Sequence, residues 1–230
     1  MASLAHNQDD PLMRVYPGLR AQPWHDPGGF PIVQALQDAY PEIRDEILAM
    51  DPGAFHKETE SIRRTGSWDV LLLYPRGRKD EEVCARLPVT SQIIEQHRTV
   101  RTHAGLMYVS RLSPGSRVMP HHGPTNVRLR CHLGIQVPAG DCGIRAGGEA
   151  RQWQQGKCLV FDDYFLHEAW NNTAEPRIVL ILDIWHPDLS DEEVELLTGL
   201  HRHASATGAN LQRYWANNAK ARGAGNKEYD

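Results

Sequence analysis

The sequence predicts a mainly β fold with flanking helices, its short strands forming a sandwich or barrel. Three observations carry this. Between residue 105 and His186, strand-like runs recur at short intervals, with Gly, Pro or Asn between most of them. In the N-terminal third, and again after Pro187, the apolar spacing turns helical. With 230 residues and 40% hydrophobic content the chain can bury one sizeable core, so a single domain is expected over 1–205, followed by a poorly ordered tail at 206–230.

In chain order, "PIVQALQDAYPEIRDEILAM" (31–50) places Ile32, Leu36, Ile43, Ile47 and Leu48 at helical spacing, with Pro41 dividing or kinking the run. "WDVLLLY" (68–74) is a short apolar run ended by Pro75 and Gly77, and "SQIIEQH" (91–97) predicts a brief helix begun by Thr90 or Ser91. Together these make an N-terminal, largely helical part over about 30–100. The β-core, about 105–186, reads as "LMYVSRL", "SRVMPH", "VRLRCHLGIQV", "CGIRA", "EARQWQ", "KCLVF", "HEAWNN" and "RIVLILDIW". Strands of that number and spacing mean a sandwich or barrel. "PDLSDEEVELLTGLHRHAS" returns to helix over about 189–205, with Ser190 and Glu193 spaced as a capping box.

Composition narrows the function classes. A formal net charge of −4 and scattered arginines offer no field for nucleic acid. "MASLAHNQDD" lacks a charged start followed by an apolar stretch, and the longest apolar run is "IVLIL" (178–182), so neither a membrane span nor a secretion signal is expected. Cys84, Cys131, Cys142 and Cys158 form no CxxC pair and read as free thiols in a reducing compartment, which predicts a cytoplasmic location.

Chemistry concentrates in "VMPHHGPTNVRLRCHLGIQVPAG" (118–140), where three histidines and two arginines interrupt a strand-like pattern. Neutral imidazoles are the commonest ligands for borderline first-row metals, and two of them on separate strands can hold an ion while leaving coordination positions open. His121 and His122 are candidates from "PHHG", and His167 from "FDDYFLHEAW" (161–170). The usual non-haem iron pattern has a carboxylate two residues after the first histidine; Gly123 stands there instead. Asp162 and Asp163 lie near the second histidine, where either can hold a metal-bound water or orient His167. Twelve histidines also make chance pairs common, and an HH dipeptide is often exposed or a packing residue. Arg177, at the head of "IVLILDIW", needs an anionic partner, which a dicarboxylate co-substrate or a nearby acid such as Glu175 could supply.

At this point the residues resemble a known family. "PHHGPTNVRLRCHLGIQVP" followed by "WQQGKCLVFDDYFLHEAWNNTAEPRIVLILDIWHPDLS" is similar to the aspartyl/asparaginyl β-hydroxylases, with support upstream in "YPGLRAQPWHD" (16–26) and "TGSWDVLLLYPRGRKDEEVCARLPVTSQIIE" (65–95). The likeness covers roughly residues 14 to 190. It implies an iron(II)- and 2-oxoglutarate-dependent dioxygenase, using O2, on a double-stranded β-helix (jelly-roll, cupin-like) core. In that family glycine replaces the usual carboxylate ligand, so Gly123 becomes a shared trait.

Carried over residue by residue, the resemblance makes His121 and His167 the two iron ligands and the catalytic centre, while His122 stands where relatives often carry threonine. Arg177 corresponds to the arginine that pairs with the distal carboxylate of 2-oxoglutarate, Ser110 to the hydroxyl that assists it, and His132 to a residue near the same co-substrate. Alternation on a strand puts Arg128, Arg130 and His132 on one face, so Arg130 is expected to meet substrate carboxylate or co-substrate. Arg63 aligns with a further substrate-carboxylate arginine; a solvated surface arginine is the competing reading. Trp170, Trp153 and Met119 are either pocket walls or ordinary core.

The resemblance also predicts where this chain departs. Animal members carry a membrane anchor and a helical-repeat domain, and this chain is expected to recognise its substrate alone. Tyr108, Val70 and Thr59 stand where relatives carry polar or charged substrate-side groups, and Ser91 stands where they have a cysteine facing the Cys84 position. The expected substrate is therefore a smaller amino acid, free or carrier- or peptide-borne, as in secondary metabolism. Oxidation of an unactivated C–H bond by hydroxylation is the first expectation, with oxidative cyclisation or desaturation as the chemical alternative. A cupin-like protein that binds metal or small molecules without turnover is the alternative from another class.

Overall fold

The computed structural model describes residues 15–58 and 63–204. After a short strand β1 (Trp24–His25), the first predicted helical run forms two helices, α1 (Pro31–Asp38) and α2 (Tyr40–Leu48). Pro31 and Pro41 each occupy a first turn, where the missing N–H is no loss, so Pro41 starts a second helix rather than kinking one. Ile32, Val33, Leu36, Ile43 and Ile47 are buried, whereas Leu48 is exposed and does not belong to the apolar stripe. Short strands β2 (His56–Lys57), β3 (Arg63–Thr65) and β4 (Trp68–Leu72) follow, so the part expected to be largely helical also contributes strands to both sheets.

α3 (Glu81–Arg86) is capped by Asp80, whose carboxylate accepts the Val83 N–H at 3.1 Å. The next helix, α4 (Pro88–Gln96), begins earlier than Thr90 or Ser91. Its first turn is capped from a distance: the Glu46 carboxylate accepts from Val89 N at 2.6 Å, Thr90 N at 3.1 Å and the Thr90 hydroxyl at 2.7 Å. A carboxylate at a helix N-terminus is favourable, and one supplied by α2 leaves no local trace in the sequence.

All eight strand-like runs of the β-core form strands: β5 (Met107–Leu112), β6 (Ser116–His121), β7 (Arg128–Gln136), β8 (Cys142–Ala146), β9 (Glu149–Gln152), β10 (Cys158–Phe161), β11 (His167–Asn171) and β12 (Arg177–Trp185). They pair antiparallel in two sheets, ordered β1-β10-β7-β12-β5-β4-β2 and β3-β6-β11-β8-β9. β5, β7, β10 and β12 in one sheet facing β6, β8, β9 and β11 in the other is the double-stranded β-helix.

β12 is buried along its whole length because it is covered on both faces. On one side Leu129, Cys131, Leu133 and Ile135 of β7 and Leu180, Leu182 and Ile184 of β12 pack with the buried faces of α1, α2 and α4. Each such side chain contributes roughly 1.5–3 kcal/mol of burial. The alternate residues face the smaller sheet. There Val179, Ile181 and Phe161 form an apolar cluster with Trp153, Trp68 and Ile144, but β7 offers Arg128, Arg130 and His132, all buried. A period-2 strand anchored by its apolar face thus carries its charges into the barrel.

The capping box forms as spaced: Ser190 N donates to Glu193 Oε2 at 2.8 Å and Glu193 N to Ser190 Oγ at 3.2 Å, opening a helix at 191–204. The tail at 206–230 lies outside the described residues. The four cysteines are free and buried. Ser91 Oγ donates to the Cys84 carbonyl at 3.1 Å, in the place where a second cysteine would be needed for a local bridge.

Candidate active site

His121 ends β6 and His167 begins β11, and the strand register sets them directly opposite each other. Their ring centroids lie 4.0 Å apart. Each Nδ1 meets a backbone carbonyl two residues earlier, Met119 O at 2.8 Å for His121 and Phe165 O at 2.9 Å for His167. A carbonyl only accepts, so both Nδ1 atoms carry hydrogen and both Nε2 atoms keep a lone pair. Burial lowers the pKa of His121 and pushes that of His167 down to about 3, holding the pair neutral. Two neutral imidazoles side by side, each with an Nε2 lone pair, are a donor type that suits a first-row metal.

His122 donates its Nδ1 hydrogen to the Tyr164 carbonyl at 2.8 Å and lines an outer cavity of about 330 Å³ with Trp68, Tyr108, Arg130 and Asp163. Gly123 donates its N–H to the Asp163 carbonyl at 2.6 Å. A Cβ added at Gly123 would lie 2.5 Å from the Asp163 carboxyl carbon. Asp163 therefore takes the space beside the histidine pair that a side chain at position 123 would need.

The Asp163 carboxylate belongs to a buried four-residue cluster. Arg128 and Arg130 each approach its Oδ2 at 3.1 Å, and both also pair with Asp183, Arg130 through Nε at 3.0 Å. Burial pushes the Asp163 carboxyl up, but the two guanidinium groups outweigh it and hold it below its ordinary value. Its Oδ1 is buried with no hydrogen-bond partner. Asp183 also accepts the Leu106 N–H at 2.7 Å. Nothing in the histidine motifs pointed to Asp183; the signal was an acid at strand alternation in "IVLILDIW", set opposite Arg130 by the register. Asp162 faces elsewhere: burial raises its pKa to about 7, and its carboxylate accepts the Tyr164 N–H at 3.0 Å.

Behind the histidine pair, an inner cavity is lined by Ser110, His132, Trp153 and Arg177 together with His121 and His167. Arg177 is 3% exposed, and no acid pairs with it among the described residues; the ion pair with Glu175 does not form. Its Nη1 donates to Ser110 Oγ at 3.1 Å, its guanidinium lies 4.5 Å from the Trp153 ring centre, and its Nε has no partner. Burial pulls its pKa down to about 10, which leaves it charged. His132 Nε2 is likewise buried and unpartnered; burial, then Arg130 and Arg177, hold that ring well below its ordinary pKa. A buried guanidinium without an anion is costly, and its own unpartnered Nε together with the unpartnered His132 Nε2 fits an arriving carboxylate.

The donor chemistry thus suits both groups, iron(II) at the imidazoles and a dicarboxylate at Arg177. Among the described residues no group of three or more His, Cys, Asp or Glu side chains could hold a metal, so the described side chains offer a metal here these two imidazoles and no third ligand. Trp153 lines the inner cavity, whereas Trp170 donates to Asp141 at 2.5 Å and lies against Arg145, away from the site. Met119 contributes its carbonyl. Arg63 stands in β3 opposite Val118; its side chain, and all of Thr59, lie outside the described residues.

The family profile described as aspartyl/asparaginyl beta-hydroxylase matches residues 37–187. The "Aspartyl/asparaginyl beta-hydroxylase" proteins of Mus musculus and Homo sapiens are each 40% identical over 183 residues, 76% of this chain. The matched region spans only about a quarter of their length, 25% and 24%. Among solved structures, a Trichoplax adhaerens prolyl hydroxylase is 12% identical with a TM-score of 0.46, covering 65% of this chain and 79% of that one. No helix among the described residues is long and apolar enough to cross a membrane.

Proposed function

The chain belongs to the aspartyl/asparaginyl beta-hydroxylase family, and from that premise we propose that it is an iron(II)- and 2-oxoglutarate-dependent oxygenase. Its substrate is an amino-acid-like carboxylate, free or peptide-borne, hydroxylated at an unactivated C–H bond. One observation carries the proposal: His121 and His167 stand opposite each other at the inner cavity with both Nδ1 hydrogens engaged by carbonyls, which leaves an Nε2 lone pair on each ring.

Iron(II) with 2-oxoglutarate and dioxygen would supply the oxidant that removes a hydrogen atom from carbon. The residues of the chain do the rest. Arg177 and Ser110 anchor the far carboxylate of the co-substrate, and His132 donates from the side. Asp163 Oδ1, buried without a partner in the space that a side chain at position 123 would take, would accept a hydrogen bond from a water held near the histidines. Arg130, already held by Asp163 and Asp183, offers its remaining N–H groups to a substrate carboxylate in the outer cavity. Trp68, Tyr108 and Leu72 wall that cavity and limit water at the reacting carbon.

The test is turnover. Purified protein with iron(II), ascorbate and 2-oxoglutarate is offered free amino acids and acidic peptides, and succinate and product mass are followed. Succinate with a product gaining one oxygen supports the proposal. A product lacking two hydrogens means cyclisation or desaturation instead, and a metal-loaded protein that forms no succinate with any substrate is a binding protein.

A further inference from the structure

Two indole N–H groups point at the ambivalent members of the inner cavity. Trp153 Nε1 donates to His132 Nδ1 at 3.2 Å. An indole N–H only donates, so His132 Nδ1 is an acceptor and the hydrogen of the neutral ring sits on Nε2, the buried atom without a partner. Trp68 Nε1 donates to Ser110 Oγ at 3.0 Å, and Arg177 Nη1 donates to the same oxygen at 3.1 Å. Both lone pairs of that hydroxyl are then taken, and its own hydrogen must point away from them. Arg177 can only donate, and its Nε is also unpartnered.

We infer that Trp68 and Trp153 are positioning residues that fix the direction of the hydrogens around Arg177, making His132 and Ser110 donors alongside the guanidinium and selecting an ionised carboxylate over the neutral amide of the same shape. The inference rests on the proposed role of Ser110, His132 and Arg177 in holding 2-oxoglutarate. A carboxylate is acceptor-only and satisfies the donors together. An amide of the same outline turns an N–H toward at least one of them and leaves both unpaired. Without the indoles, His132 could switch tautomer and Ser110 could rotate, and the pocket could adapt to the amide. Trp153 has a second part: its ring lies under the Arg177 guanidinium at 4.5 Å, holding the cation flat where no acid among the described residues meets it.

The experiment uses the full chain with zinc(II) in place of iron. Nitrogen NMR reads the His132 tautomer, and calorimetry compares 2-oxoglutarate with its C5 amide. The wild type is expected to show the Nε2–H tautomer and to prefer the acid by about a hundredfold. Trp153→Phe keeps a ring under Arg177 but loses the N–H, so His132 should populate both tautomers and the preference should fall about tenfold. Trp68→Phe should reduce the preference while leaving the His132 tautomer unchanged. An Nδ1–H tautomer in the wild type overturns the inference without any variant, as does an unchanged preference in both variants. Wild type that binds neither ligand while showing the Nε2–H tautomer upholds the hydrogen direction and overturns the co-substrate reading.

Discussion

Gly123 and Asp163 compete for one space. The glycine has no side chain, and the aspartate carboxylate sits 2.5 Å from where its Cβ would be, held there by Arg128 and Arg130. Gly123→Ala should therefore destabilise the fold by about 1–3 kcal/mol, since the obstructing group is anchored and cannot give way freely. Gly123→Asp, which copies the ligand pattern of other iron enzymes, should cost more by setting two carboxylates together and should not raise metal affinity. Urea midpoints and metal titration measure both; a stable Gly123→Asp protein with tighter iron binding would refute the packing argument.

The histidine pair predicts a sharp loss. His121→Ala or His167→Ala leaves a single imidazole and no third protein ligand among the described residues. Bound iron(II), measured by metal analysis after gel filtration, should fall below stoichiometric occupancy, and succinate formation should cease with it.

Arg177 separates binding from stability. Arg177→Met should weaken 2-oxoglutarate binding by about 2–5 kcal/mol, the cost of leaving a buried carboxylate without its charged partner. Melting of the ligand-free protein should be unchanged or higher, because an unpaired cation leaves the interior. A large loss of stability without a change in binding would mark Arg177 as purely structural.

Asp183 holds the two arginines of β7 and the Leu106 amide together. Asp183→Ala should cost about 3–5 kcal/mol, as expected when one partner is removed from a buried charge cluster. Chemical denaturation reads this directly.

A pH effect follows from His25, packed against His186 at 5.7 Å between ring centres, with Gln22, Arg20 and Asp188 around it. Burial, then His186 and Arg20, push its pKa down to about 4. A depressed histidine pKa means the unfolded chain binds the proton first, so this group removes stability as pH falls from 6.5 toward 4. Asp162, raised to about 7, acts in the opposite direction across that whole window, because the folded chain takes up its proton first. Comparing wild type with His25→Gln isolates the histidine: the stability gap between them should shift against the wild type on acidification. A gap independent of pH would show that His25 stays solvated.

Much of this was legible in the chain. Eight strand-like runs predicted the eight core strands, because short apolar runs and the turn residues between them are written locally. The Ser190–Glu193 spacing marked a helix start for the same reason. The short strands β1, β2 and β3 were not legible, since their pairing partners lie far away in sequence. Nor was the start of α4, capped by Glu46.

For the site, the residues themselves singled out His121, His167 and Arg177, strand alternation drew in Arg130, and the family resemblance added Ser110 and His132. What only the tertiary structure decided is their chemistry: which imidazole nitrogen keeps its lone pair, that Asp163 fills the gap at Gly123, and that Arg130 is tied to Asp183 while Arg177 meets no acid among the described residues. Hydrogen direction and charge pairing depend on groups brought together by the closing of two sheets. Residue identity is fixed by the order of the chain, but the partner that sets a residue's protonation and reach is fixed by which strands meet.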